Sequence, residues 1–370
     1  MNNNQRILLI QLFSNGDCLY ATTIAKQIKI DTPNCTLQWL VLKPYTAILK
    51  NNPYIDELIV LDKISDENAD DTYSRAINLA EQKIKDEQTD KYYFSQILGD
   101  NISNYDGCLR RSIFRGYNKT ITVDKSPILV LDEEEKNRAL TFAQNNNLAK
   151  YTNVLLFETS PLSGQTNLSE KEIIEISSAI NNMEATCIIL SSYKSFDINL
   201  PNVFDGSTLS IRETVALTHF CTHLVGCSSG ITWASISIAG KQLPMLQLLN
   251  VNAYYFNPPS IDFKFANIDE TNVIELYTFT PSLVIDVVKT MLFENVANAR
   301  EKFNQTVKNN FKIYRGIVHN FLTKGKIKLL KKFITINLKQ HGWNWQMLKS
   351  MTLGFILFPF QLCINFINKK

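Results

Sequence analysis

The chain alternates short apolar runs with longer amphipathic stretches, and that alternation sets the expected architecture. Residues 7–12, 37–42 and 58–61 are nearly unbroken apolar runs, the form of strands buried on both faces. Between the first two, residues 19–31 carry apolar positions at helical spacing. Strand, helix, strand at this separation predicts parallel pairing through a right-handed crossover. A polar helical pattern over 66–88 follows, then a strand near 91–97, then a charged helix over 132–147 whose asparagine-rich end reads as a boundary. The pattern then restarts with strand 154–157, helix 169–182, strand 186–190, helix 211–220 and strands 223–226 and 244–247. Two such units predict an α/β protein with two doubly wound, Rossmann-like domains, 1–150 and 151–300, and a ligand cleft between them.

The remaining stretch, 301–370, has a different pattern. Between Lys326 and Lys339 a helical projection puts Ile327, Leu330, Ile334 and Leu338 on one stripe, widened by Leu329, Phe333 and Ile336. Lys328, Lys331, Lys332 and Lys339 lie opposite. Trp343 and Trp345 come next, then a mostly apolar run over 351–367 interrupted by Pro359, Gln361 and Asn365. This reads as a basic amphipathic tail on an anionic membrane surface, with an in-plane or shallowly inserted end. The run is short of the roughly 20 apolar residues that a spanning helix needs. The competing reading is a terminal helix pair packed on the body.

Charge sharpens that division. The net charge is only +3, yet residues 303–370 hold twelve Lys and Arg and no acid, leaving 26 basic against 35 acidic residues elsewhere, a net of −9. A basic tail on an acidic body implies a separate anionic partner. Nucleic acid fits poorly, because so much Phe and Ile would serve no phosphate contact. At 370 residues, 45% hydrophobic and 20% charged, the composition is that of a globular protein. Seven cysteines without a CxxC pair point to thiols in a reducing compartment. The first apolar run stops at Gln11, too short for a signal-peptide core, so a cytoplasmic location is expected. Four histidines and the scattered cysteines show no metal-ligand spacing, and no metal or cofactor is expected.

Three loops carry the candidate chemistry. Phe13-Ser14-Asn15-Gly16-Asp17 follows the first strand, where an open α/β sheet presents ligands. Gly16 is expected to permit a tight turn. Asp17 has two readings, a helix cap or a base that takes a proton from a bound hydroxyl. In the second half, Thr159, Ser160, Ser163, Gly164 and Gln165 form a hydroxyl-rich stretch after the strand at 154–157. Gly226-Cys227-Ser228-Ser229-Gly230-Ile231-Thr232 follows the strand at 223–226 and leads into a small-residue helix. Glycines and hydroxyls at such a place suit a diphosphate, though the loop is neither a Walker loop nor a GxGxxG fingerprint.

At this point the chain resembles the lipopolysaccharide heptosyltransferases and their relatives, glycosyltransferase family 9, of GT-B fold. The resemblance rests on Ser14-Asn15-Gly16-Asp17 after a strand, on Trp39-Leu40-Val41, and on Asn52-Pro53-Tyr54-Ile55-Asp56-Glu57-Leu58-Ile59. Ser210-Ile211-Arg212-Glu213, Gly226 to Gly230 and Gly240-Lys241-Gln242 match later family segments more loosely. It implies Asp17 as catalytic base, with Ser14, Asn15 and Gly16 on the acceptor side. It also implies Ser229 and Gly230 at the diphosphate of a nucleotide-sugar co-substrate; the two hydroxyl-rich loops add Thr159, Ser160, Ser163, Gly164, Gln165, Ser228 and Thr232 as candidate donor contacts. The expected activity is inverting, metal-independent sugar transfer to a lipopolysaccharide, capsule or other lipid-linked acceptor at the inner face of a bacterial membrane. Two departures bear on the donor: Ser228 and Trp233 stand where the family has Asp and His, and Ser163-Gly164-Gln165-Thr166 replaces a Lys-bearing segment. They keep two alternatives open, a nucleotide-sugar epimerase on the same scaffold and a catalytically silent membrane-bound partner of another transferase.

Overall fold

The computed structural model describes residues 5–65, 67–160, 165–166, 168–193, 195–196, 199–306 and 308–367, without the side chains of Ser160 and 359–367. Ser163 and Gly164 of the expected donor loop therefore lie outside the described residues.

Two parallel sheets organise the chain. The first comprises β1 (Arg6–Ile10), β2 (Thr36–Leu42), β3 (Glu57–Leu61) and β4 (Lys91–Phe94), in the order β3-β2-β1-β4. Its crossovers include α1 (Asn15–Asp31) and α2 (Ala69–Lys85). α3 (Leu109–Phe114) and α4 (Glu133–Asn145) lead to the second sheet. That sheet comprises β5 (Asn153–Ser160), β6 (Thr186–Ser192), β7 (Val203–Asp205), β8 (His223–Gly226), β9 (Met245–Leu248) and β10 (Val273–Leu276). Its order is β10-β9-β8-β5-β6-β7, the doubly wound order with β5 as first strand. The helices among and after these strands are α5 (Glu170–Asn181), α6 (Ile211–Leu217), α7 (Gly230–Ser235), α8 (Pro259–Ala266), α9 (Pro281–Phe293) and α10 (Val296–Phe303).

Winding reverses between β1 and β4 in one sheet and between β5 and β8 in the other. Crevices open at such reversals, beyond the carboxyl ends of the strands. The expected sequence loops follow β1, β5 and β8, so both crevices are built from them.

Much of the motif at 52–59 holds this scaffold together. Asp56 accepts hydrogen bonds from the Leu37 amide (2.5 Å) and from Lys29, and Glu57 accepts from Gln38 (2.7 Å). These contacts pin β2 and β3 in register at the start of β3, at the opposite strand end from the loop after β1.

Three helices close the chain: α11 (Tyr314–Thr323), α12 (Ile327–His341) and α13 (Trp345–Ile367). They pack on the first half and join its apolar core through Tyr314, Phe321, Leu330, Phe333, Met347 and Met351. Asn337 donates to the Tyr105 carbonyl (2.9 Å) and accepts from the Tyr314 hydroxyl (2.6 Å). The apolar stripe expected to face a membrane is therefore turned inward along most of α12, with Phe333 0% exposed. Physical necessity explains the correction: an amphipathic helix buries its apolar face on whatever apolar surface is nearest. Among the described tail residues, the large apolar side chains that remain open to solvent are Ile327 and, farther on, Trp343, Trp345, Leu353, Phe355, Ile356 and Leu357. Among the described residues no helix is long and apolar enough to cross a membrane.

Candidate functional site

α1 begins at Asn15, four residues earlier than the hydrophobic periodicity predicts, so Gly16 and Asp17 belong to its first turn. The sharp backbone turn falls instead on Ser14, whose φ is +70°. Gly16 is a glycine for another reason. A Cβ there would lie 2.8 Å from Cδ1 of Trp233, so its missing side chain is what lets α1 approach α7.

Asp17 does not cap α1; Ser14 occupies the cap position. The Asp17 carboxylate accepts a hydrogen bond from Gln96 Nε2 (2.9 Å), which follows the end of β4. Gln96 has no freedom to turn its amide over. Its oxygen accepts from Gln11 Nε2 (2.5 Å) and from the amides of Leu12 and Phe13 (both 3.1 Å), so its NH₂ group must face Asp17. Burial raises Asp17 to about 7, with the Gln96 bond opposing that rise. A carboxylate poised near neutrality is suited to proton transfer.

Across from it, β5 runs on through Thr159 and Ser160 because β6 continues alongside, pairing Glu158 with Ser191 and Ser160 with Ser192. The expected loop thus starts later than its sequence suggests. Glu158, which sequence reasoning passes over, is the buried acid of this crevice. Its carboxyl accepts from the Ser229 hydroxyl and from Cys227 Sγ (3.4 Å), and burial lifts it to about 7.

A cleft of about 450 Å³ joins the two crevices. Ser14, Asn15 and Tyr45 line it from the first half, and Glu158, Ser229 and Gly230 from the second, with Ser191, Ser192, Tyr193, Ser207 and Ser210 adding hydroxyls. No Lys or Arg is among its described lining residues. Asp17 lies just beyond the lining, close enough to cleft residue Tyr45 to help raise its phenol.

Other expected donor residues are committed elsewhere. Ser228 donates to the Asn257 carbonyl (2.5 Å) and Thr232 to Gln247 (3.2 Å), both buried. Thr159 is buried, its hydroxyl 3.5 Å from the Ser191 carbonyl. Gln165 is half-buried. A Cβ on Gly230 would sit 3.3 Å from both Asn15 and Ile211, so this glycine too serves the approach of the two halves. Among the described residues no three His, Cys, Asp or Glu side chains converge as a metal site.

Buried ion pairs fix the halves around the cleft. Arg212 binds Glu135 (2.6 Å) and carbonyls of the first half, and Arg110 meets Asp262 (2.8 Å) with neither side chain exposed.

Solved structures share this fold. The chain is similar to a glycosyl transferase family 9 protein from Veillonella parvula DSM 2008, at TM-score 0.54 and 13% identity over 90% of this chain and 99% of that one. It is similar to ADP-heptose lipopolysaccharide heptosyltransferase II of E. coli, at TM-score 0.54 and 12% identity over 78% and 99%. A Listeria monocytogenes protein assigned as a UDP-N-acetylglucosamine 2-epimerase gives 0.50 and 10% over 88% and 97%. The fold is GT-B. At these identities the likeness carries the fold, and activity has to be argued from the site. No family model and no curated protein sequence matches the chain.

Proposed function

We propose that this GT-B chain is an inverting, metal-independent glycosyltransferase that moves a sugar from a nucleotide-sugar to a lipid-linked acceptor, such as a lipopolysaccharide or capsule intermediate. Asp17 carries this reading: a carboxylate at the β1–β4 crevice, bound by Gln96, raised by burial to about 7, and next to the cleft that Ser14, Asn15 and Tyr45 line. In the reaction Asp17 takes the proton of the acceptor hydroxyl as that oxygen attacks the anomeric carbon. The bond from that carbon to the leaving diphosphate breaks on the opposite face, inverting its configuration. Ser229, Gly230 and the hydroxyls beside them hold the diphosphate, with Glu158 protonated when the anion is bound. The enzyme works at the cytoplasmic face of the inner membrane, attached through Trp343, Trp345, the exposed Leu353, Phe355, Ile356 and Leu357 of α13 and the lysines of the tail.

The test is turnover of nucleotide-sugars in the presence of bacterial lipid extract, with the anomeric configuration of the lipid-borne sugar read out. Transfer with inversion supports the reading. Turnover without any acceptor would establish the epimerase. One observation favours the silent partner, the lack of a cation among the described cleft residues. That reading requires nucleotide-sugars neither to bind nor to be consumed.

A further inference from the structure

The polarity of the α11–α13 pair changes along its length rather than only around it. At one end a groove of about 500 Å³ opens between the start of α11 and the first turns of α13. Lys312, Arg315 and Lys349 line it, with Phe311 and Leu353 and no carboxylate. Among the described residues Lys312 reaches the Asn252 side-chain oxygen alone, at 3.5 Å. The Arg315 guanidinium and Lys349 ammonium have no hydrogen-bond partner among the described residues. Close packing of α11 on α13 brings Arg315 and Lys349 to one groove: a Cβ on Gly354 would strike the Arg315 carbonyl at 2.6 Å.

Trp345, Lys349, Leu353 and Ile356 recur at helical spacing and so share one face of α13. All four are exposed, and Trp345 is 75% exposed. This face therefore runs from an interfacial tryptophan through the cationic groove to aliphatic side chains. Phosphate headgroup above acyl chain has the same order. Arginine with lysine suits a phosphate, one as a planar fork and the other as a mobile point charge.

We propose that this groove is a seat for the phosphate of an anionic membrane lipid, whose acyl chains follow Leu353 and Ile356. The proposal rests on the membrane attachment proposed above and adds a stereospecific site to it. The groove is also joined to the reaction site. Asn310 binds the Val251 carbonyl (2.8 Å), and from the same loop Tyr255 donates to the Ile97 carbonyl (3.0 Å), next to Gln96. A lipid in the seat orients the α11–α13 end of the protein on the bilayer and with it the loop beside Asp17.

The experiment compares vesicles containing phosphatidic acid with vesicles containing phosphatidylserine at matched surface charge, by cosedimentation of the full chain. The variants are Arg315→Gln with Lys349→Gln, and, as an equal change of charge outside the groove, Lys328→Gln with Lys331→Gln. Wild type and the control pair should prefer phosphatidic acid by about tenfold, the scale of one charge-assisted contact. The groove pair should bind both vesicles alike. Equal preference in all three proteins overturns the seat and leaves diffuse attraction, while absence of wild-type binding to either vesicle overturns the membrane attachment itself. Millimolar inorganic phosphate that abolishes the preference would show that the groove takes free phosphate, which overturns the lipid as its occupant.

Discussion

Cδ1 of Trp233 lies 2.8 Å from where a Cβ on Gly16 would stand, and the indole packs against Tyr20 with ring centroids 5.2 Å apart. This contact sets the separation of the first turns of α1 and α7, which flank the cleft. Gly16→Ala should therefore destabilise by about 1–3 kcal/mol, the usual range for overpacking. The double variant with Trp233→His should recover part of that loss in a urea-melt cycle. Additive effects would mean that the two residues do not constrain each other.

Gln96 should govern the pH profile of transfer. Asp17 acts as a base only when ionised, so the rate should fall as pH drops through about 7. Gln96→Leu removes the one hydrogen bond that favours the carboxylate, and the midpoint should move upward. An unmoved midpoint would remove Gln96 from the account.

Glu158 should make donor binding depend on pH in the opposite sense. Above about 7 its carboxylate is ionised and repels a diphosphate; below, it is a neutral neighbour. A nucleotide-sugar has no phosphate group that titrates near neutrality, so calorimetry at pH 6 and pH 8 isolates the protein's contribution. Affinity should be higher at pH 6 in the wild type and nearly flat in Glu158→Gln. Ser229→Ala should weaken binding at both pH values.

Removing the tail at Thr323 should destabilise the body as well as release it from membranes, since it deletes the buried Phe333 and the Asn337 bonds. Loss of a buried Phe side chain alone is worth about 3–5 kcal/mol. The cleaner variant is Trp343→Ser with Trp345→Ser, both exposed. It should keep its melting temperature and bind anionic vesicles less well. Unchanged vesicle binding would take the tryptophans out of the attachment.

Most strands and their parallel pairing were legible in the sequence because a strand buried on both faces leaves a continuous apolar run, as at Ile7 to Ile10; β10, four residues interrupted by Glu275, was missed. Short edge elements such as β7, with three residues, leave no such trace. The start of α1 was misplaced because Asn15, Gly16 and Asp17 are polar or small, poor helix formers in a helix interior, and leave no apolar periodicity to read. Asp17 stood out beside a glycine at a strand end. Gln96 and Glu158 did not, because each becomes a site residue through partners 79 and 71 positions away. The inward turn of α12 was one of two readings left open, for a related reason: a helical pattern reveals an apolar face but not what covers it.

The central claim is tested most directly by single-turnover sugar transfer, measured side by side for the wild type and Asp17→Asn with donor saturating. Asn keeps the size of the side chain and cannot take a proton. The account predicts that transfer falls by ~10²–10⁴-fold, the usual contribution of a general base, while donor affinity stays close to wild type. Transfer within a few-fold of wild type would contradict it and leave Asp17 as a structural residue at the first turn of α1.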